Sequence, residues 1–374
     1  YTDAIDNSAG VDCSDHEVNI KILLNPLVTE GHLPMAERDA LLESMTDEVG
    51  ELVLDDNQAQ TLALAIARRQ ALPMVNVHSR YLNVLEAEGW LNRALEFMPT
   101  DRQIAERQSN GQGLTTPEFA VLLAYTKSAN YAEMSRTDLY DDPYLEVDLM
   151  RYFPKALQER FPDEIRRHRL RREIVGAQVA NQMVNLNGIS FDNRMTEDTG
   201  ASVVDVVRAW VAARDIFHLP HQWAEIDALG SDIRLDTQLE LFLELRRMVE
   251  RGSLWLLRHR RPPLNIGATV EQFRRGIDEL STGFDNKMQG RMRDQIFATE
   301  AARLAAGVPE GLAQRSVAWP LLHTGFDVVQ LAQQRKISVG AAAAAYWQVF
   351  DVLDLQWLWD AVGALPRNDR WQTQ

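Results

Sequence analysis

Ser202-Val203-Val204-Asp205-Val206-Val207-Arg208-Ala209-Trp210-Val211-Ala212-Ala213-Arg214-Asp215-Ile216-Phe217 decides the fold class of this chain. Val203, Val206, Val207, Trp210, Ala213 and Phe217 recur at the spacing of one helix face, and Ser202 with Asp205 three positions on marks the helix start. Working outward, Leu241, Leu245, Met248 and Trp255 keep a common face over a second long stretch. It closes at Arg258-His259-Arg260-Arg261 before Pro262-Pro263, because basic residues suit a helix C-terminus and proline cannot continue it. Upstream, Thr116 is placed to cap, Pro117 fits a first turn, and Phe119, Leu122, Leu123 and Thr126 follow at helical spacing. Asp55 is expected to cap a helix carrying Leu62, Leu64 and Ile66, and Ser338 an Ala-rich helix running to Phe350. The segments 49–54 and 74–77 are too short and isolated to build a sheet. The chain reads as all-α.

With 374 residues it exceeds the roughly 250–300 at which a single core stops growing, so two packed subdomains are expected. The 54 acidic and 39 basic side chains leave a net charge of −15, which argues against a nucleic-acid partner and an acidic membrane surface. No apolar run approaches the roughly 18–20 residues of a membrane span, and no basic segment followed by an apolar one opens the chain. One cysteine, Cys13, excludes an internal disulfide framework or a multi-cysteine metal site, and suits a reducing, cytoplasmic setting. The opening Tyr1-Thr2-Asp3 lacks a methionine and reads as the interior of a longer protein. Breaks at Pro26 to Pro34 and Arg261 to Gly267 suggest segments 1–25, 26–261 and 262–374.

The densest chemistry lies in Asp6-Asn7-Ser8-Ala9-Gly10-Val11-Asp12-Cys13-Ser14-Asp15-His16-Glu17. Small residues at Ser8, Ala9 and Gly10 permit a tight turn and a close ligand, and Ser14 with Glu17 has the spacing of a capping box. A helix N-terminus there would offer unpaired N–H groups to an anion. A plain turn and capped helix satisfies the same pattern.

This block, extended from Thr2 to Lys21, closely resembles the large class of bacterial NAD-specific glutamate dehydrogenases. The resemblance continues in Gly113-Leu114-Thr115-Thr116-Pro117-Glu118, Leu122-Leu123-Ala124-Tyr125-Thr126-Lys127, Tyr152-Phe153-Pro154, Asn181-Gln182-Met183-Val184-Asn185 and Ala213-Arg214-Asp215-Ile216-Phe217, and covers essentially the whole chain. It implies a helical C-terminal region following a short tail of an α/β catalytic domain. The block is also similar to the N-x-G-G-V-x-x-S-x-x-E motif of the smaller hexameric enzymes. There Asn7 falls on an asparagine near the nicotinamide end of NAD, and Ser14 on the serine that binds the side-chain carboxylate of glutamate. Ala9 departs from the first glycine of that motif.

The resemblance further implies glutamate and 2-oxoglutarate as ligands of the full enzyme, a homo-oligomer, and a chain that is inactive alone, because neither a lysine of lowered pKa, nor a proton-transferring aspartate, nor a glycine-rich phosphate loop is recognisable. Gly111-Gln112-Gly113 has no third glycine. The other reading is a stand-alone helical interaction module.

Other clusters have structural explanations. His218 and His221 flank a proline that breaks any common helix face, so a turn is expected there. Asp138, Asp141 and Asp142 precede Pro143 and read as a helix end, and Arg166 to Arg172 as an ion-paired surface run. Cys13 is expected to pack as a small residue and His16 to sit in a first helical turn, while most tryptophans read as core.

Overall fold

The computed structural model describes residues 2–282, 284 and 290–363. These residues hold helices and no strand, in agreement with the helical periodicity. Tyr1 lies outside them. Contacts gather into two compact units, residues 1–194 and 195–374, with the division inside the helix Phe191–Thr199.

The first unit contains α1 (Asp3–Asp6), α2 (Ser8–Thr29), α3 (Met35–Ser44), α4 (Thr46–Arg69), α5 (Val75–Ala87), α6 (Asp101–Ser109), α7 (Thr116–Ser135), α8 (Glu146–Tyr152), α9 (Lys155–Arg160), α10 (Pro162–Arg166), α11 (Arg171–Asn187) and the start of α12 (Phe191–Thr199). Here α2 packs on α4, α4 on α7 and α11, and α11 on α7 and α8. Leu64 of α4, Leu82 of α5 and Phe119, Leu122 and Leu123 of α7 are wholly buried in one apolar cluster. Burying a side chain of this size contributes about 1.5–3 kcal/mol.

The ends of these helices refine the sequence expectations. Thr115, one residue before Thr116, caps α7, and the Glu118 carboxylate accepts the Thr115 N–H at 2.7 Å while pairing with Arg107 at 2.7 Å. Asp55 caps nothing, because α4 begins nine residues earlier with Asp47 and Glu48 in its first turn, where carboxylates suit the helix dipole. The segments 49–54 and 74–77 belong to α4 and the start of α5.

The second unit contains α13 (Val203–Ile216), α14 (Leu219–Asp227), α15 (Leu235–His259), α16 (Ile266–Ser281), α17 (Gly290–Ala305), α18 (Glu310–Ser316), α19 (Trp319–Leu322), α20 (Gly325–Arg335), α21 (Val339–Val352) and α22 (Leu355–Gly363). Ser202 caps α13 by accepting the Asp205 N–H at 3.2 Å, and Ser338 caps α21 by accepting that of Ala341 at 3.1 Å. The deciding helix α13 is held between α15 and α16. Its Phe217 meets Phe326 edge-on at 5.5 Å, and Trp255 stacks on Phe326 at 4.9 Å while its indole N–H donates to Asp327 at 2.8 Å. Pro262 and Pro263 join α15 to α16 inside this unit.

Candidate functional site

The block around Asn7 folds as α1, a single turn residue and then α2. The helix begins at Ser8 with Asn7 as its N-cap residue, so Ser14 stands in the second turn and is not at a helix end. The Ser14–Glu17 box is therefore not formed, because an N–H that far into a helix already bonds to the carbonyl four residues back. Glu17 instead pairs with Lys21 one turn on. The first-turn N–H groups belong to Ser8, Ala9 and Gly10.

The same continuity brings Asn7 and Ser14 into register. Seven residues at about 100° each return almost to the starting direction, so the two share one helix face about 10 Å apart along the axis. Val11 and Val18 extend that face, and both are exposed, at 62% and 49%. Asn7 is exposed and makes no side-chain cap hydrogen bond. A phosphate loop does not emerge at Gly111–Gly113: Gly111 turns the backbone at φ +70°, and Gly113 lies too close to the Ala71 carbonyl for any side chain.

Beside this face is a cavity of about 300 Å³, lined by Asn7, Ser8, Val11 and Asp12, by Asp3 of α1, Asp56 and Gln60 of α4, Lys127 of α7 and Asn181 and Asn185 of α11. Lys127 is shielded from bulk water, and this desolvation brings its ammonium down to about 8 against the opposing charges of Asp56 and Asp12. Burial likewise lifts Asp56 to about 6, with Asp12 adding to the rise and Lys127 opposing it. Asp12 is also raised, first by burial. The Lys127 ammonium donates to Gln60 Oε1 at 3.2 Å, and Gln60 Nε2 donates to Ser8 Oγ at 3.3 Å.

Lys127 and Asn7 thus line the same cavity. The signal in the sequence for Lys127 was composition: it is the sole basic residue of α7, and it lies one turn beyond the buried Leu123.

A second network supports α2 from the opposite end of the block. Tyr152 donates to Asp15 Oδ2 at 2.6 Å, and Asn19 Nδ2 donates to Asp15 Oδ1 at 3.1 Å and to Tyr152 Oη at 2.8 Å. His168 accepts the Leu170 N–H on Nδ1, so its Nε2 carries the proton donated to the Asn19 carbonyl at 3.0 Å. His16, buried in the third turn and not in the first, stacks on Tyr152 at 4.4 Å. Burial lowers its pKa. Cys13 is exposed, contrary to the packed position expected from its size.

The other sequence candidates stay apart from this site. His218 is the residue before α14, held between Arg274, which donates to Nδ1 at 3.0 Å, and Asp278, which accepts from Nε2 at 2.8 Å. Asp142 accepts the Tyr144 N–H at 3.0 Å as the cap of a 3-10 turn. Arg166 pairs with Glu146 and Asp163, Arg167 with Glu164, and Arg171 and Arg172 with Asp141. Among the described residues, no group of three or more His, Cys, Asp or Glu side chains could hold a metal ion. No helix among them is long and apolar enough to cross a membrane.

Residues 111–374 match the family model of the glutamate dehydrogenase C-terminal region, and residues 1–67 that of the bacterial NAD-glutamate dehydrogenase catalytic domain. The chain is 42% identical over 371 residues to the NAD-specific glutamate dehydrogenase of Pseudomonas aeruginosa, covering 99% of this chain. It is 39% identical over 373 residues to that of Halomonas elongata and 41% over 372 residues to that of Mycobacterium tuberculosis, each match covering all of this chain. The chain spans 23% of the length of each of these relatives.

Proposed function

The chain belongs to the NAD-specific glutamate dehydrogenase family, and from that premise we propose that it serves in the conversion of L-glutamate, NAD and water to 2-oxoglutarate, ammonia and NADH. NAD, when bound, accepts the hydride released from the α-carbon of glutamate. This chain's own part is to hold ligands: Asn7 offers its amide to the nicotinamide end, and the Ser14 hydroxyl donates to the side-chain carboxylate of glutamate. Asp15, which precedes the buried His16, anchors that stretch of α2 from below through Tyr152 and Asn19. The chain alone is inactive, because groups for the chemical step must come from the rest of the full-length enzyme.

The observation that carries this reading is the common exposed face of Asn7 and Ser14, bordered by Val11 and Val18. Two polar groups set about 10 Å apart on a rigid helix suit two adjoining ligands. Residues 1–25 are taken as the part that meets the ligands, and the helical segments 26–261 and 262–374 as its support. A homo-oligomer in the cytoplasm is part of the same proposal.

Ser14→Ala in the full-length enzyme tests the reading. A hydrogen bond to a charged group is worth about 1.5–3 kcal/mol, so KM for glutamate should rise about tenfold to a hundredfold while KM for NAD changes little. Unchanged glutamate dependence would remove Ser14 from the site.

A further inference from the structure

We propose that Lys127 is a positioning residue, which fixes the first turn of α2, and with it Asn7, through Gln60 and Ser8. The proposal rests on the reading of Asn7 given above.

The hydrogen bonds run across three helices. Ser8, next to Asn7, accepts on its Oγ from Asn57 Nδ2 at 3.1 Å and from Gln60 Nε2 at 3.3 Å, both on α4. Gln60 Oε1 accepts from the Lys127 ammonium of α7 at 3.2 Å. An ammonium has donors and no acceptor, so it dictates which end of the Gln60 amide faces it. The Nε2 end is thereby turned toward Ser8. Without the ammonium, either end of the amide could face α2, and one of the two bonds holding Ser8 would lose its direction.

Charge acts in the same sense. Asp3 of α1, Asp12 of α2 and Asp56 of α4 line the cavity with Lys127, the one cation among its lining residues. Removing it would leave carboxylates of three helices facing one another at the point where α2 begins. Like charges in a partly shielded site repel more strongly than in water. Asp56, raised first by burial and then by the charge of Asp12, agrees with the closeness of these carboxylates.

Lys127 lies in the part matching the C-terminal family model, whereas Ser8 and Gln60 lie in the part matching the catalytic domain. The connection therefore gives the helical region a direct hold on the cofactor-facing residue.

The test uses the full-length enzyme carrying Lys127→Met or Lys127→Arg, read by NADH fluorescence titration, by KM for NAD and for glutamate, by the pH profile and by thermal unfolding. Loss of one well-directed hydrogen bond changes binding by about twofold to tenfold, so Lys127→Met should weaken NADH binding by about that factor. Lys127→Arg, which still donates to Gln60, should recover most of that binding. NADH binding unchanged in Lys127→Met overturns the proposal. So does a loss that arginine leaves unrescued while the pH-dependent limb near 8 disappears, since that marks direct proton transfer by the amine. If Lys127→Met does not fold, Gln60→Leu breaks the same connection and leaves Lys127 among its carboxylates; unchanged NADH binding there is equally fatal. Asn7→Ala separates the two levels. If it weakens NADH binding while both cavity variants bind NADH normally, only the positioning role fails; if it too is silent, the reading of Asn7 fails with it.

Discussion

Tyr152 donates its phenolic proton to Asp15 at 2.6 Å, joining two residues 137 positions apart in the chain. The bond ties α8 to the middle of the block that carries Asn7 and Ser14. Asn19 and His16 complete the enclosure, the first by donating to both oxygen partners and the second by stacking on the phenol ring.

Tyr152→Phe keeps the ring and removes the bond. A hydrogen bond to a charged acceptor contributes about 1.5–3 kcal/mol, and Asn19 would also lose an acceptor. The variant should unfold at lower urea concentration than the parent by an amount of that order. An unchanged midpoint would show that solvent replaces the phenol at Asp15.

The stability of the chain should depend on acid in a defined window. Burial pushes His78 down to about 3, with Arg194 adding to the effect, and His323 to about 4, with Arg251 adding. In the unfolded chain both titrate near 6.5, so their contribution is complete above that pH. As pH falls below 6.5 the unfolded chain takes up protons that the folded chain refuses, and stability declines down to the folded values. Asp56 and Asp192, each lifted to about 6 by burial, act oppositely between about 6 and 3.8, where the folded chain holds the proton. His78→Gln should narrow the stability difference between pH 7 and pH 5 by about 2 kcal/mol, at about 1.4 kcal/mol per pH unit below 6.5. Urea titrations at the two pH values measure it, and an equal difference in parent and variant would refute the assignment.

Gly176 should resist enlargement. A methyl group there would enter the ring of Tyr140, whose hydroxyl donates to the Tyr131 carbonyl at 2.8 Å. Overpacking of this kind costs about 1–3 kcal/mol, so Gly176→Ala should lower the melting temperature. Adding Tyr140→Leu should make the second substitution cheaper in the alanine background than alone. Simple additivity of the two changes would contradict the contact.

Arg214 is wholly buried, donates to Asp215 at 2.8 Å and lies over the Trp210 ring at 5.4 Å. Arg214→Met should cost about 3–5 kcal/mol, because it removes a wholly buried guanidinium together with its bonds to Asp215. Thermal unfolding of the variant checks this. A loss below about 1 kcal/mol would place the Arg214 interactions among exposed pairs.

The helical class and several helix ends were legible because they depend on residues close in sequence. Ser202 and Ser338 cap as their spacing predicts, and the face from Val203 to Phe217 is largely buried. The start of α2 was not legible. Ser14 and Glu17 have the spacing of a capping box, but a box forms only where the helix has no earlier turn, and here Ser8 to Cys13 supply one. The same misplacement hid the face shared by Asn7 and Ser14.

Lys127 was hidden for a different reason. Its lowered proton affinity arises from enclosure by helices distant in sequence, against the opposing charges of Asp56 and Asp12, and no local pattern brings these groups together. Cys13 was expected to pack and His16 to sit in a first helical turn; on the helix that forms, position 16 turns inward to Tyr152 and position 13 outward.

The apolar cluster of the first unit takes Ile5, Ala63 and Leu64 from one end and Leu122, Leu123 and Val184 from the other. A ribosome making this chain therefore releases α1 and α4 well before α7 and α11 exist. Those early helices must wait, with apolar faces uncovered, until α7 and α11 emerge, so the interval between synthesis of Arg69 and Asn187 is when chaperones would be needed most.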